Sequence, residues 1–461
     1  MKNQKLIFKK KLSGIYSAPA RIIVSSFLLI ILLGGILLSL PISSKDGVTT
    51  GFIDSLFTSV SATCITGLVV FDTYTKWTIF GQLVILALIQ IGGIGIVTIS
   101  IFFYMMGGKK LGLRGRQLAK ESINVTETDG LSDLFKFIIK MTFLVELFGA
   151  IILSLVFVKD FGLIKGLYIS VFLSISAFCN AGFDILGFQS QFGSLMSYND
   201  NTIVIFTIGS IIILGGLGFI VWYDLFNNRK NHKLLLHTKI VLIMTAILII
   251  SVTGMFFILE YNNPLTIKDL SLTEKINAAF FQSVNLRTAG FSSIDVSKLR
   301  QITKVMSLIV MFIGGGPGST SGGIKVTTLA ILIMTVISVM KNKSETIIFK
   351  YKVNQNIVYR SFSMFFISIV VVLLGSVLLY YSVRSDEVVN VINSMYEVIS
   401  AFSTVGVSSG VTKVIGVFGK TVLMIIMFIG RVGPISLLLS LAVRNTEDSH
   451  KVFPEGKIMV T

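Results

Sequence analysis

FIDSLFTSVSATCITGL, residues 52–68, is too apolar for an ordinary loop, and its pattern recurs three more times along the chain. The other copies are LYISVFLSISAFCNAGF (167–183), KINAAFFQSVNLRTAGF (275–291) and VINSMYEVISAFSTVGV (391–407). Each copy has an aromatic residue ten positions before a shared glycine and a small or polar residue five before it. The shared glycines lie 115, 108 and 116 residues apart. Such a near-constant period indicates an internal repeat, and this repeat decides the fold.

The sequence around these copies is that of a membrane protein. With 53% hydrophobic and 14% charged residues, the chain cannot hide its apolar surface in one soluble core. A helix needs ~20 apolar residues to cross a bilayer, and we count eight candidate spans. They are Ile22–Leu40, Ile79–Met106, Leu134–Val158, Thr202–Trp222, Ile240–Leu259, Met306–Met340, Phe362–Tyr381 and Thr421–Val443.

The net charge of +17 is a topology signal and does not indicate nucleic-acid binding. Lysine and arginine crowd the N-terminus, alternate loops and the C-terminal tail, as the positive-inside rule requires. Both termini are therefore expected in the cytoplasm of a multi-pass protein. The predicted division is a cytoplasmic N-terminus 1–20, copy 1 at 21–108, a cytoplasmic loop 109–133, copy 2 at 134–224, a loop 225–239, copy 3 at 240–340, a loop 341–360, copy 4 at 361–443 and a cytoplasmic tail 444–461.

Each repeated stretch predicts a short helix that enters the membrane and returns. A helix of ~12 residues is ~18 Å long, too short to cross. The bland alternative is four amphipathic segments lying on the outer surface. Because all four copies run in the same direction, we instead predict a ring around an axis normal to the membrane. The expected fold is an all-α membrane protein of four parallel span–pore-helix–span repeats around a pseudo-fourfold pore, with eight full transmembrane helices and four re-entrant pore loops.

The glycine-ended loops are the candidate ion selectivity filter. Glycine permits the positive φ angles that turn successive carbonyls toward one axis, and rings of carbonyl oxygens can replace the hydration shell of a cation. This chemistry favours a monovalent cation without separating potassium from sodium. The predicted filter residues are Thr66, Gly67, Ala181, Gly182, Ala289, Gly290, Val405 and Gly406.

Copy 3 carries a polar, glycine-rich interruption of its second span, GGGPGSTSGG. The corresponding glycines of the other copies stand in apolar sequence, which predicts uninterrupted, closely packed helices there. The interruption lies under the filter and is the candidate gate, together with two basic residues. The predicted gate residues are Gly314, Gly315, Gly316, Pro317, Gly318, Ser319, Thr320, Ser321, Gly322, Gly323, Lys325 and Arg431.

Arg431 falls near the middle of the last span, where a charge costs ~2.5–3.5 kcal/mol. We expect it to hydrogen-bond the carbonyls of the loop and hold it closed; the alternative is a structural pair with Glu146 or another buried carboxylate. Lys325 is either a gate partner or a side chain reaching toward the cytoplasmic side. A pair between Arg287, beside the third filter loop, and Glu397 is a further possibility.

The fourfold span–pore-loop–span pattern, one glycine per filter loop and the interrupted sixth span resemble the Trk/Ktr/HKT superfamily of potassium transporters, and most of all the bacterial KtrB-type membrane subunit. The resemblance implies K⁺ bound by the carbonyls of Gly67, Gly182, Gly290 and Gly406, since plant relatives with serine at the first position tend to carry sodium. It also implies an intramembrane gate, a homodimer in the bacterial cytoplasmic membrane, and a cytosolic nucleotide-binding ring subunit of the KtrA type as partner.

Other classes are disfavoured or left as alternatives. The chain has no phosphate-binding loop motif and no catalytic or metal cluster, so we expect no enzyme and no cofactor beyond transported K⁺. Na⁺ remains open as a coupling or activating ion. The alternatives are a sodium-coupled secondary transporter, although such folds often have inverted repeats, and a less selective K⁺/Na⁺ transporter.

Overall fold

The computed structural model describes residues 19–95, 98–101, 131–227, 234–382, 389–434 and 437. The predicted cytoplasmic segments 1–20 and 109–133 lie largely outside these residues, as does the centre of the loop 225–239. The predicted tail 444–461 lies wholly outside them.

Helices dominate the described residues, and they fall into the four copies expected. Copy 1 has α1 (Pro19–Ser39), α2 (Phe52–Thr63) and α3 (Ile79–Ile94). Copy 2 has α4 (Leu131–Phe161), α5 (Leu163–Phe178), α6 (Thr202–Leu217) and α7 (Phe219–Asn227). Copy 3 has α8 (Leu236–Glu260), α9 (Leu272–Asn285), α10 (Gln301–Phe312) and α11 (Val326–Met340). Copy 4 has α12 (Gln355–Ser382), α13 (Val391–Ser403) and α14 (Val417–Val432). A two-stranded hairpin, β1 (Ile347–Ile348) with β2 (Tyr351–Lys352), joins copies 3 and 4.

The first helix of each copy is long and apolar enough to cross a membrane. Within the described residues four helices meet this criterion, or five if the bent pair α6–α7 is one span. The chain is thus a helical membrane protein. The second helices fall short of the criterion because each is broken near its middle.

A left-handed glycine marks the break in every copy. α3 ends at Gly95 (φ +86°), α6 at Gly218 (φ +102°) and α14 at Gly433 (φ +89°), while Gly318 in copy 3 has φ +64°. Helix α7 leaves α6 at an angle of 89°. The prediction that only copy 3 is interrupted is therefore wrong. The missed signal is a shared G-x-x-G motif, GGIG, GGLG, GGPG and GRVG, whose last glycine takes the conformation that ends a helix.

The first glycine of this motif lets the second helix approach the short helix of its own copy. A Cβ on Gly92, Gly215 or Gly430 would lie only 2.1, 2.0 or 1.8 Å from a carbonyl oxygen at the end of that short helix. Any side chain there would force the two helices apart.

The four copies pack in a closed cycle. The second helix of each copy contacts the short helix of the next: α3 packs on α5, α6 on α9, α10 on α13, and α14 returns to α2. Each short helix also packs on the first helix of its own copy. The short helices therefore share one centre, with the long helices around them. We call the side where the short helices begin the loop face.

The aromatic residue ten positions before each shared glycine anchors its short helix. Phe57, Phe172 and Tyr396 are fully buried, and Phe280 stacks on Phe206 with ring centroids 4.6 Å apart. Burial of an aromatic side chain is worth about 1.5–3 kcal/mol, so these residues fix the depth of the short helices. Leucine and isoleucine side chains of the long helices face outward instead.

Candidate functional site

The short helices end in nearly the same turn. The residue two before each shared glycine has a left-handed backbone: Ile65, Asn180, Thr288 and Thr404 have φ of +58°, +56°, +74° and +54°. In copies 1, 2 and 4 the next backbone N–H returns to a carbonyl five residues earlier, as in a Schellman motif, each at 2.8 Å. In copy 3 the bond from Ala289 returns only four residues, to Asn285 at 3.1 Å.

The shared glycines follow, all left-handed, and they form a ring. Gly67, Gly182, Gly290 and Gly406 have φ of +88°, +71°, +82° and +85°. A Cβ on Gly67 would lie 3.3 Å from the Cα of Gly182, and one on Gly406 would lie 3.0 Å from the Cα of Gly67. A side chain at any of these positions would meet the backbone of a neighbouring copy.

Carbonyl oxygens alternate with the glycines around this ring. A Cβ on the glycine of each copy would approach the carbonyl that precedes the glycine of the next copy. The pairs are Gly67 with Ala181 (2.6 Å), Gly182 with Ala289 (2.8 Å), Gly290 with Val405 (3.2 Å) and Gly406 with Thr66 (2.0 Å). The structure thus brings all eight predicted filter residues together, in chain order.

The loop between α10 and α11 is closed at its neck by its own backbone. Gly314 N–H donates to the carbonyl of Ile324 at 2.8 Å, and Val326 N–H donates to the carbonyl of Gly315 at 3.1 Å. We call residues 313–325 the intramembrane loop; it contains every predicted gate residue except Arg431.

One side of the intramembrane loop is bonded to the broken helix of copy 2. Gly316 N–H donates to the carbonyl of Gly216 at 2.9 Å, and Phe219 N–H donates to the carbonyl of Gly318 at 2.9 Å. These main-chain bonds use groups that the break at Gly218 leaves without helical partners, as buried polar groups require.

The tip of the loop lies against the filter segments of copies 2 and 4. A Cβ on Gly322 would lie 2.4 Å from Oγ1 of Thr404, and one on Gly323 would lie 3.0 Å from Oγ of Ser403. On the other side, the amide of Asn180 lies 3.2 Å from Oγ of Ser321. The loop therefore lies directly beneath the ring of glycines.

Arg431 holds this loop from copy 4. Its Nη1 donates to the carbonyl of Thr320 at 2.6 Å, and its Nη2 donates to the carbonyl of Gly92 in copy 1. Glu146 instead accepts from Nε2 of Gln90 at 3.0 and 3.1 Å, so the alternative of an Arg431–Glu146 pair is not what the structure shows.

Two further details of the basic residues emerge. Lys325 donates to the carbonyl of Ser321, within the loop itself. Arg431 stands at the second position of its G-x-x-G motif and so matches Gly93 of copy 1, one residue from the match to Gly92 that counting from the filter glycine gives.

The predicted Arg287–Glu397 pair is wrong. Nη2 of Arg287 donates to Oγ1 of Thr245 on α8 at 3.2 Å. Glu397 accepts from Oγ of Ser408 at 2.6 Å and from the backbone of Thr412 at 2.8 Å, so it braces the chain that follows the fourth filter glycine. Their sequence positions could not reveal this, because the two side chains leave their short helices in different directions.

Asp184 lies two residues beyond Gly182, on the loop-face side of the ring. Burial raises the pKa of its carboxyl to about 6, and the charge of Asp72 adds to the effect, while a hydrogen bond from Leu186 N–H at 3.0 Å opposes it. No group of metal-ligating side chains was found among the described residues, so backbone carbonyls are the candidate ligands.

A helical membrane protein whose short helices converge on a ring of carbonyls, with a loop and an arginine beneath it, has the features of a cation-conducting protein. The chain matches the family TrkH, cation transport protein, over residues 5–451, and it belongs to this family. The predicted membership is thereby confirmed.

Named relatives extend over nearly the whole chain. It is 38% identical over 455 residues to the potassium/sodium uptake protein NtpJ of Enterococcus hirae, covering 98% of this chain and 99% of that protein. It is 38% identical over 451 residues to the Ktr system potassium uptake protein B of Bacillus subtilis, covering 97% and 98%. The fold matches the crystal structure of the potassium transporter TrkH from Vibrio parahaemolyticus with a TM-score of 0.70 at 19% identity, covering 91% of this chain and 85% of that one.

Proposed function

We propose that this protein takes up K⁺ across the bacterial cytoplasmic membrane through a gated pore, as the translocating subunit of a Ktr-type system. The observation that carries the proposal is the ring in which four left-handed glycines alternate with four carbonyls. Such carbonyls can replace the water around a dehydrated monovalent cation. The printed names of the Enterococcus and Bacillus relatives support potassium as that cation.

In this proposal the loop face is outside and both termini are cytoplasmic. The second helices, though broken, complete eight crossings, and the four short helices re-enter from outside. Lysine and arginine concentrate on the proposed inner side, which supports the orientation. K⁺ would pass the carbonyls of the filter ring, and the ends of the four short helices would present their partial negative charge toward it.

The intramembrane loop is the proposed gate, with Arg431 as its lock. The loop fills the space under the ring and is held by Arg431, by Asn180 and by the backbone of copy 2. Opening requires the loop tip to leave the filter. The charge of Arg431 also raises the electrostatic energy of a cation beneath the ring.

We further propose a homodimer controlled by a cytosolic nucleotide-binding ring subunit. The name of the Bacillus relative, a component of a Ktr system, supports a multisubunit assembly. A less selective K⁺/Na⁺ transporter is the second candidate, and the potassium/sodium uptake protein of Enterococcus favours it. In either case Na⁺ is a candidate coupling or activating ion.

Growth rescue tests the function. Expression in bacteria that lack K⁺ uptake should restore growth at low external K⁺, more strongly with a co-expressed ring subunit. Gly290→Ser should abolish the rescue at equal membrane levels, because a side chain at this left-handed position meets Gly182 (Cα 2.7 Å from the Cβ). Normal rescue by Gly290→Ser would overturn the filter assignment. Ion currents in proteoliposomes, with K⁺ or Na⁺ alone, separate a channel from a sodium-coupled carrier.

Removal of the lock tests the gate. Arg431→Ala, or deletion of 317–321, should raise K⁺ flux about tenfold or more and blunt control by the ring subunit, because a charge-assisted hydrogen bond is worth roughly 1.5–3 kcal/mol. Arg360→Ala, which removes an exposed arginine of α12, is the matched control. A fall in flux at unchanged protein level would contradict the gate assignment.

A further inference from the structure

Asn180 stands at a position where the backbone alone does not explain an asparagine. It lies two residues before Gly182 and has a left-handed backbone, as asparagine tolerates better than most residues. Ile65 and Thr404 adopt the same conformation at the same place in copies 1 and 4. The fold therefore accepts even β-branched residues here, and the amide of Asn180 has another use.

That amide joins the filter to the intramembrane loop. Asn180 is 1% exposed. In the orientation that satisfies both of its ends, the nitrogen donates to the carbonyls of Ala177 (3.0 Å) and Ile212 (3.2 Å), and the oxygen accepts from Oγ of Ser321 (3.2 Å). Ser321 is itself 2% exposed. The contact is thus a water-excluded bridge between copy 2 and the loop.

The same loop tip supports the filter from the opposite side. Gly322 and Gly323 pack against Thr404 and Ser403 at distances that leave no room for a side chain. Because the copies are arranged cyclically in chain order, copies 2 and 4 face each other across the centre. The docked loop therefore lies between two opposed filter segments and contacts both.

We propose that the docked loop sets the spacing of the second and fourth filter segments, with Asn180 as the positioning residue, so that selection of K⁺ over Na⁺ depends on the Asn180–Ser321 contact. This inference rests on the proposed function. The filter segments are short and each contributes a single glycine, so little in their own sequence keeps the ring wide enough for K⁺. A ring that loses its support contracts around the smaller ion, and selectivity falls.

Uptake of K⁺ and of Na⁺ into proteoliposomes, measured separately, tests the proposal. Asn180→Gly removes the amide but keeps the left-handed backbone, and Ser321→Ala approaches the same contact from the loop. Each should lower the K⁺/Na⁺ uptake ratio about three- to tenfold, the factor expected for one hydrogen bond. The double variant should be no worse than the more affected single variant, because both remove one contact.

Ser174→Ala is the matched control. It removes a buried hydrogen bond of the same short helix, from Ser174 to the carbonyl of Glu146 at 2.6 Å, without involving the loop. Its uptake ratio should equal that of the unmodified protein.

An unchanged ratio in Ser321→Ala, or single effects that multiply in the double variant, would overturn the proposal. If Asn180→Gly does not assemble, Ser321→Ala alone decides. These outcomes are distinct from failure of the proposed function, in which the unmodified protein takes up no K⁺ at all.

Discussion

A left-handed residue followed two positions later by a left-handed glycine gives every filter segment the same backbone path. Glycine adopts this conformation freely, whereas Ile65 and Thr404 adopt it at a cost of roughly 1–2 kcal/mol each. The short helices and their burial hold these residues in place. The glycines could be predicted from the repeat, but the strained residues could not, because their types differ from copy to copy.

Asp184 predicts a pH dependence of uptake. Its pKa of about 6 means that its carboxyl loses its charge as the pH falls from 7 to 5. At low K⁺ concentration uptake should then fall roughly fivefold, the factor for one charge a few ångström from the ion in water. Flux measured at both pH values should be low throughout in Asp184→Asn.

Asp295→Asn is the control for this experiment. Burial raises the pKa of Asp295, but hydrogen bonds from Ser297 outweigh it and hold the pKa below its usual value. Asp295 thus stays charged over the tested range. For Asp184 the raised pKa has the opposite sign for folding: its ionisation opposes the folded state, so acid pH should slightly raise thermal stability in detergent. An identical pH profile for Asp184→Asn and the unmodified protein would contradict the assignment.

The elements show where sequence patterns succeed and where they fail. The short helices follow from length, aromatic anchors and the terminal glycine, and their bounds lie close to those of the quoted stretches. The breaks in α3, α6 and α14 were missed because hydrophobicity continues through them. A helix end is decided by one left-handed residue and its hydrogen bonds, which hydropathy does not measure. The contacts of Arg431 with the loop, by contrast, were expected from the cost of a buried charge.

The brace of α13 gives a prediction at this scale. Glu397 is fully buried and accepts hydrogen bonds from Ser408, Ser409 and Thr412. Glu397→Gln would turn one acceptor into a donor that faces N–H groups, at a cost of roughly 1–3 kcal/mol. A lower melting temperature of the detergent-purified protein is expected.

Glu274→Gln is the matched control for this change. Glu274 belongs to the capping box of α9, a motif in which glutamine serves as well as glutamate. Its melting temperature should remain near that of the unmodified protein. Equal stability of Glu397→Gln would show that the brace contributes nothing to the fold.

At the scale of the whole molecule, the cycle of copies closes where α14 meets α2. Lys420 and Asp54 form an ion pair of 2.6 Å there, with side chains 15% and 24% exposed. The parallel direction of the repeats predicted a closed arrangement. The contacts that close it could not be predicted, because they join residues far apart in the sequence.

Breaking this pair should loosen the closure. Lys420→Ala should lower the free energy of unfolding by about 1–3 kcal/mol, since it leaves a partly buried carboxylate without its partner. The double reversal Lys420→Asp with Asp54→Lys should recover part of the loss. Recovery is incomplete because a lysine is less favourable than an aspartate in the first turn of a helix.

Thermal unfolding in detergent measures these effects, and Lys298→Ala is the control. Lys298 pairs with Asp295 at 3.4 Å with both side chains well exposed, and such pairs contribute at most about 1 kcal/mol. A reversal as unstable as the sum of its two single variants would show that the pair does not join the ends of the cycle.

The closing helix α14 also carries Arg431, and this has a consequence for biogenesis. While the ribosome is still making copy 4, α2 lacks its last neighbour, and the loop lacks the guanidinium that holds it. Insertion of α14 supplies both in one step. The nascent protein therefore gains its finished conduit and its seal together, and an incompletely synthesised chain does not expose the cell to an unguarded leak of ions.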